Sequence, residues 1–338
     1  MKREKKCKMK GGIVIGVVLI AVGLVLQLCL GPVRWELLAW PVNGVVLAVF
    51  LLLIATVFGL RSRVGVFWFL SSYGAAIPAI CFAVLLTIVM GLTRQDGDGG
   101  WLHDMLSFWP FVLVYVYMTF ILGLVILRRC RPKRFWEKGL VRNLSFVLNH
   151  VGLFVAIVTA TLGSADIQRL QMWTTNNAEA ANRLSEMNMG EGAAQFHNPQ
   201  RWAYDAKGHM VELPLAVELK RFIMEKYDDG SPRRYASEVI IYSKTSQGKY
   251  GATIDVNQPT TVDGWKIYQK SYYLTPMGDD CQVSVLEIVR DPWLPYVYTG
   301  IGMMLVGAIV GGARGARSEV RGARCEGDSR YEEREVRS

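Results

Sequence analysis

Residues 145–166 read "SFVLNHVGLFVAIVTATLGSAD". The stretch is a membrane span by length and apolarity, since about 20 mostly apolar residues cross the hydrocarbon core. It nevertheless carries Asn149 and His150 side by side near its start. Outward from this span, placed at 144–163, five more windows of similar length occur at 12–31, 38–60, 66–92, 108–127 and 295–312. With 338 residues, 51% of them hydrophobic, the chain is too apolar for an ordinary soluble protein. The first span follows the basic start "MKREKKCKMK" and is longer than a signal-peptide core, with no small-x-small cleavage site; it reads as a retained signal anchor.

The spans divide the chain into a basic N-terminus (1–11), a five-span bundle (12–163), a polar insert (164–294), a sixth span (295–312) and a tail (313–338). Cytoplasmic loops hold the excess of Lys and Arg. The N-terminus has six basic residues, and the loop 128–142, "RRCRPKRFWEKGLVR", has seven against Glu137 alone. The short loop 61–65 adds Arg61 and Arg63, whereas the alternate loops hold only Arg34 and Arg94. These counts predict a multi-pass membrane protein with both termini inside and the insert outside. The tail mixes charges of both signs with few apolar residues, a disordered composition.

The net charge of +9 comes from the cytoplasmic segments, because residues 166–291 hold 14 basic and 17 acidic residues. It orients the protein and meets anionic membrane lipid; nothing points to nucleic acid. The six cysteines (7, 29, 81, 130, 281 and 325) form no Cys-x-x-Cys pair and no metal spacing. No phosphate loop, nucleophile–base set or carboxylate pair stands out, so no catalytic residue is assigned.

The insert opens with "IQRLQMWTTNNAEAANRLSEMN" (167–188), which reads as a polar helix, followed by a loop through "GEGAAQFHNPQRW". From Val211 the hydrophobic period becomes two. Five or more strands separated by "DDGSPR", "SQG", "NQPTTVDG" and "TPMGDD" predict an antiparallel sandwich-like or barrel-like sheet. The fold class expected is thus a polytopic α-helical membrane protein of six spans, with one extracytoplasmic β-rich domain that starts helical and precedes the last span.

An ionisable residue inside a span is costly, and it normally faces the bundle interior and has a task. His150 lies six residues into its span, about 9 Å from the cytoplasmic end at about 1.5 Å per residue. A neutral imidazole there can ligate a metal or haem iron, carry protons, or hydrogen-bond across helices together with Asn149. His103, His197 and His209 stand singly in polar loops and form no zinc spacing.

Four stretches occur in order: "LNHVGLFVAIVTATLGSAD", "ELPLAVELKRFIMEKYDDGSPRRYASEVIIY", "GWKIYQKSYY" and "DPWLPYVYTGIGMMLVGA". Over residues 144 to 312 the chain resembles the ResB-type family of cytochrome c biogenesis proteins, subunits of system II haem lyases. The resemblance implies a CcsA-type partner with a tryptophan-rich haem loop. With that partner such proteins pass haem outward and support its attachment to apocytochrome c through Cys-x-x-Cys-His thiols. His150 matches the family's membrane histidine, an axial haem ligand on the inner side of the span, with no other metal implied. The ten tryptophans form no Trp-Trp-Asp run, so the partner half and a complete synthetase are not expected in this chain. The implied role is therefore non-catalytic alone, with haem bound transiently and shared with the partner. A membrane-anchored extracytoplasmic sensor or binding module is the alternative, weakened by the short polar tail. A proton-coupled transporter is disfavoured by the absence of internal repeats.

Overall fold

Runs of Val, Leu and Ile longer than five helical turns satisfy their backbone hydrogen bonds only as helices once water is excluded. In the computed structural model, which describes residues 2–95, 100–130, 140–177, 198–274 and 281–312, these runs form helices. They are α1 (Lys2–Leu30), α2 (Val42–Leu60), α3 (Gly65–Leu70), α4 (Tyr73–Leu92), α5 (Trp109–Arg129), α6 (Leu140–Gly163) and α7 (Leu294–Gly312). Six of them are long and apolar enough to cross a membrane, so the chain is a multi-pass membrane protein. The window expected at 66–92 is broken into α3 and α4. Ser71 Oγ donates to the Phe67 carbonyl at 3.2 Å, and Ser72 takes an extended backbone before Tyr73. Serine hydroxyls compete in this way with the helical ladder.

The helices and the polar region form two compact units, Met1–Ala165 with Trp293–Ser338, and Asp166–Pro292. In the first, α5 packs against α1, α4, α2 and α6. Ile54, Val57 and Leu124 are buried there against Phe50, Phe120 and Phe154. A tryptophan ties helix ends together. The indole of Trp109 donates to Gly31 O at 2.9 Å, and its backbone N–H donates to the buried Gln27 side chain at 3.1 Å. Both bonds satisfy groups left open at helix termini.

The second unit is one antiparallel sheet of eight strands: β1 (Gln168–Thr174), β2 (Gln200–Tyr204), β3 (Met210–Lys226), β4 (Pro232–Ser243), β5 (Lys249–Asp255), β6 (Thr260–Val262), β7 (Trp265–Leu274) and β8 (Cys281–Arg290). Their spatial order is β5-β4-β3-β2-β1-β8-β7-β6, and β5 also touches β6 and β7, so the sheet rolls up to near closure. It is the barrel-like arrangement, in one sheet, not two facing sheets as in a sandwich. Leu213, Leu215, Val217, Val239, Ile241 and Ile267 fill its interior.

The helical start expected for this unit is not observed at 168–174. Those residues are strand β1, between β2 and β8. Leu170, Met172 and Thr174 alternate into the core, and that period of two outweighs the helix-compatible spacing of the polar residues. The rest of the expected helix, from 178, lies outside the described residues. Strand β2 likewise replaces the end of the expected loop, with Gln200 and Ala203 buried.

Within the rolled sheet lies a polar layer. Ser237 and Ser284 share a hydrogen bond of 2.6 Å, and Gln269 Nε2 donates to Ser284 Oγ at 3.1 Å. All three side chains are buried. Bulges at Leu219/Arg221 and Gln269/Ser271 then shift the register on either side of this layer.

Candidate functional site

Two adjacent stripes of α6 build the site. The first, at a spacing of four, three and four, is Ser145, Asn149, Gly152 and Ala156, and it faces α7. There the helices meet backbone to backbone. A Cβ on Gly152 would lie 2.5 Å from Gly300 O, and one on Gly300 would lie 2.6 Å from Gly152 O. Farther along, a Cβ on Gly307 would lie 2.9 Å from the Asn149 side chain, and Ser145 Oγ donates to Gly307 O at 2.7 Å. Small residues at such spacings let two membrane helices gain close van der Waals contact, which lipid-facing leucines cannot supply.

The second stripe is Asn143, Phe146, His150, Phe154 and Val158. Asn143 and Val158 are buried, and Phe154 joins the aromatic core, its ring 6.4 Å from that of Phe50. His150 lies in the middle of this stripe, half-buried. Its Nδ1 is 2.9 Å from the Phe146 carbonyl oxygen. A carbonyl only accepts, so Nδ1 carries the hydrogen, and a neutral ring leaves its lone pair on Nε2. The Phe146 ring stacks on the imidazole at 3.8 Å between centroids and 23° between planes. Together the carbonyl and the ring fix the tautomer and the plane of the side chain. The guanidinium carbon of Arg129, the last residue of α5, is 5.2 Å from the centre of the same Phe146 ring.

Asn149 and His150 are adjacent in sequence but do different things. Asn149 Nδ2 donates to Ser145 O at 3.0 Å, one turn back on its own helix, as His150 does to Phe146. The bond across helices that the sequence offered to this pair is made by Ser145 instead. Sequence reading passed over Ser145, Gly152, Gly300 and Gly307. Their signal is the Gly307-x-x-x-Gly311 spacing on α7 together with the matching small residues on α6.

The other histidines are not drawn into this site by any hydrogen bond described. His103 ends a short 3-10 turn, Trp101–His103. His209 is on a turn of the second unit, its Nδ1 3.0 Å from Asp205 Oδ2. The His209 and Lys207 backbone N–H groups and the His209 ring all bond Asp205, holding its carboxyl below the usual range. His197 lies outside the described residues. Among the described residues no group of three or more His, Cys, Asp or Glu side chains is placed to hold a metal ion.

In the second unit an open cleft of about 500 Å³ is lined by Arg233, Arg234, Tyr235, Asp255, Asn257 and Gln258. Arg234 forks onto both Asp255 oxygens at 2.8 Å and reaches Glu225 at 3.0 Å. The Arg234 hydrogen bonds hold the Asp255 carboxyl below its ordinary range.

Comparison with known proteins agrees with the first three of the four ordered stretches. The sequence model of the ResB-like family matches residues 131–284. Protein NrfI of Wolinella succinogenes is 26% identical over 100 residues, 29% of this chain and 10% of that protein. Cytochrome c biogenesis protein CcsB of Prochlorococcus marinus subsp. pastoris is 23% identical over 136 residues, 40% of this chain and 26% of that protein. The chain thus spans about a quarter or less of the curated relatives it matches. Among solved structures, Cytochrome c Heme Lyase CcmF aligns with 70% of this chain and 38% of its own at 11% identity. Its TM-score of 0.33 carries no weight for the fold or the site. The segment that includes α6, His150 and nearly all of the described sheet is where the resemblance and the family model coincide, and over residues 131–284 the chain is similar to the ResB-like family.

Proposed function

We propose that the chain is a membrane subunit of a cytochrome c haem-attachment system, in which His150 gives haem iron an axial ligand near the cytoplasmic end of α6. The observation that carries this reading is the 2.9 Å contact from His150 Nδ1 to the Phe146 carbonyl, inside the ResB-like segment. A metal-binding imidazole needs one nitrogen held by a second-shell acceptor and the other bearing a free lone pair. The donor chemistry therefore fits iron. Haem, when bound, supplies the iron that takes this lone pair and the vinyl carbons to which apocytochrome thiols are joined.

The chain's residues do the positioning. The Gly152–Gly300 contact and the Ser145 bond to Gly307 fix α6 against α7, and so fix the imidazole's Cα. The Phe146 carbonyl sets the tautomer and its ring sets the plane. His150 is only partly buried, which leaves it accessible in part to a ligand or a partner surface. The loop charges support an orientation with α6 running outward and the rolled sheet on the extracytoplasmic side of the bacterial cytoplasmic membrane. On that side the sheet holds or guides apocytochrome c, and a CcsA-type, tryptophan-rich membrane protein supplies the second haem ligand and the rest of the path.

Co-expression of the full chain with such a partner, followed by co-purification and an absorption spectrum, tests the reading. A complex with a Soret band that His150→Ala weakens is the expected result. A complex without haem, or a Soret band indifferent to His150, would remove the ligand role.

A further inference from the structure

We infer that Arg129 holds a carboxylate of the same ligand whose iron His150 takes, so that the site grips an iron tetrapyrrole both at its centre and at its rim. The inference rests on the haem reading of His150 above. Its starting point is one ring shared by two groups. Phe146 has the imidazole stacked at 3.8 Å and the Arg129 guanidinium carbon at 5.2 Å from its centre, so a metal ligand and a fixed cation stand one aromatic ring apart.

The two arginines that end α5 are not equivalent. Arg128 Nη1 donates to Ser71 O at 2.6 Å and thereby ties α5 to the break between α3 and α4. Arg129 makes no hydrogen bond or ion pair among the described residues, and its Nε is buried with no acceptor among them. A buried N–H on a cation without an acceptor is costly, and such groups in folded proteins are normally satisfied by something bound. The guanidinium fork matches a carboxylate or phosphate in the plane of two parallel hydrogen bonds. An oxyanion for the guanidinium and a metal for Nε2 are two demands on one ligand. A haem meets both, with its propionates at the rim and its iron at the centre. The phosphate of an anionic lipid meets only the first, and it would reach Arg129 without any dependence on His150.

The experiment titrates the full chain, in detergent without added lipid, with haem and with haem dimethyl ester, following the Soret band. The ester keeps the iron and the ring face but has no carboxylate. Wild type is expected to bind haem more tightly than the ester. Arg129→Gln should weaken haem binding about tenfold or more while leaving ester binding unchanged, and Arg129→Lys should fall between. His150→Ala should weaken both ligands alike. If Arg129→Gln binds haem as wild type does while His150→Ala does not, the inference fails and the iron site stands; Arg129 then serves lipid or solvent. Equal loss of haem and ester in Arg129→Gln also overturns it, as the mark of a structural role. Wild-type protein that binds neither ligand overturns the reading of His150 and this inference with it.

Discussion

Gly152 and Gly300 approach so closely that a methyl carbon on either would stand 2.5 to 2.6 Å from the other's carbonyl oxygen. No side-chain rotation relieves such a contact, because the obstructing atom is backbone. Gly300→Val should therefore part α6 from α7 and lower stability by about 1–3 kcal/mol, the usual cost of overpacking. Gly302→Val, two residues from Gly300 with open space at its Cβ, should cost little. Thermal unfolding of the two variants in the same detergent checks the contrast, and equal midpoints would count against the seam.

His150→Ala should lower haem occupancy and cytochrome c maturation while the protein stays in the membrane, since Ala is cheaper than His in hydrocarbon. Added imidazole should restore part of the activity by occupying the vacated position. Because the ring's only hydrogen bond described goes to its own helix, His150→Asn is expected to fail as His150→Ala does. Normal maturation and an unchanged haem spectrum in His150→Asn would assign the side chain to packing.

The charge pattern gives a test of sidedness that is independent of haem. Reporter fusions at residues 133 and 230 should read opposite compartments, with 133 inside and 230 outside. The same compartment at both positions would contradict the proposed orientation.

The six apolar helices were legible because a span is a local property: about 20 residues suffice to recognise one, and no partner need be known. Strands β3, β4, β5, β7 and β8 were legible for a similar reason, since alternation shows within a few residues. Strand β1 was missed because Gln168, Arg169, Gln171 and Asn176 also suit the exposed face of a helix. What decides against helix is burial of Leu170 and Met172 beneath β8, more than 100 residues later in the sequence. His150 was visible as a costly residue in a span, but its tautomer depends on a carbonyl one turn back, which only coordinates reveal. The α6–α7 seam was hidden for the reason β1 was: each glycine is permissive alone, and the meaning lies in the pair.

The buried layer of Ser237, Ser284 and Gln269 should behave as a unit. Ser284→Ala leaves buried donors and acceptors on both neighbours without this partner, and it should cost about 1–3 kcal/mol. Ser237→Ala with Ser284→Ala should cost less than the two changes added, because the double variant removes both ends of one bond. Chemical unfolding of full-length variants, followed by fluorescence of the buried Trp265, measures the coupling; strict additivity would show that the hydroxyls act separately.

Asp255 predicts an acid dependence. Its carboxyl is lowered by the Arg234 hydrogen bonds, so the folded state favours the ionised form. That stabilisation is complete above the unfolded carboxylate value of about 3.9 and disappears as pH falls through the lowered folded value. Asp255→Asn should therefore melt below wild type at neutral pH, and the gap should close under acid. Both groups are partly exposed, so the gap should be small and should shrink in salt. A gap that grows on acidification would contradict the pairing.

The first and last strands of the sheet are neighbours, paired from Gln168 with Arg290 through Thr174 with Ser284. During synthesis β1 leaves the ribosome long before β8, and until β8 arrives one edge of β1 waits open. Such an edge is a template for wrong pairing. In chain order α7 follows the whole polar region, so it can be held beside α6 only after that region has been made. A chain cut short before Cys281 would keep its first five membrane helices and its imidazole, yet it would lack the glycine seam that holds the imidazole in place.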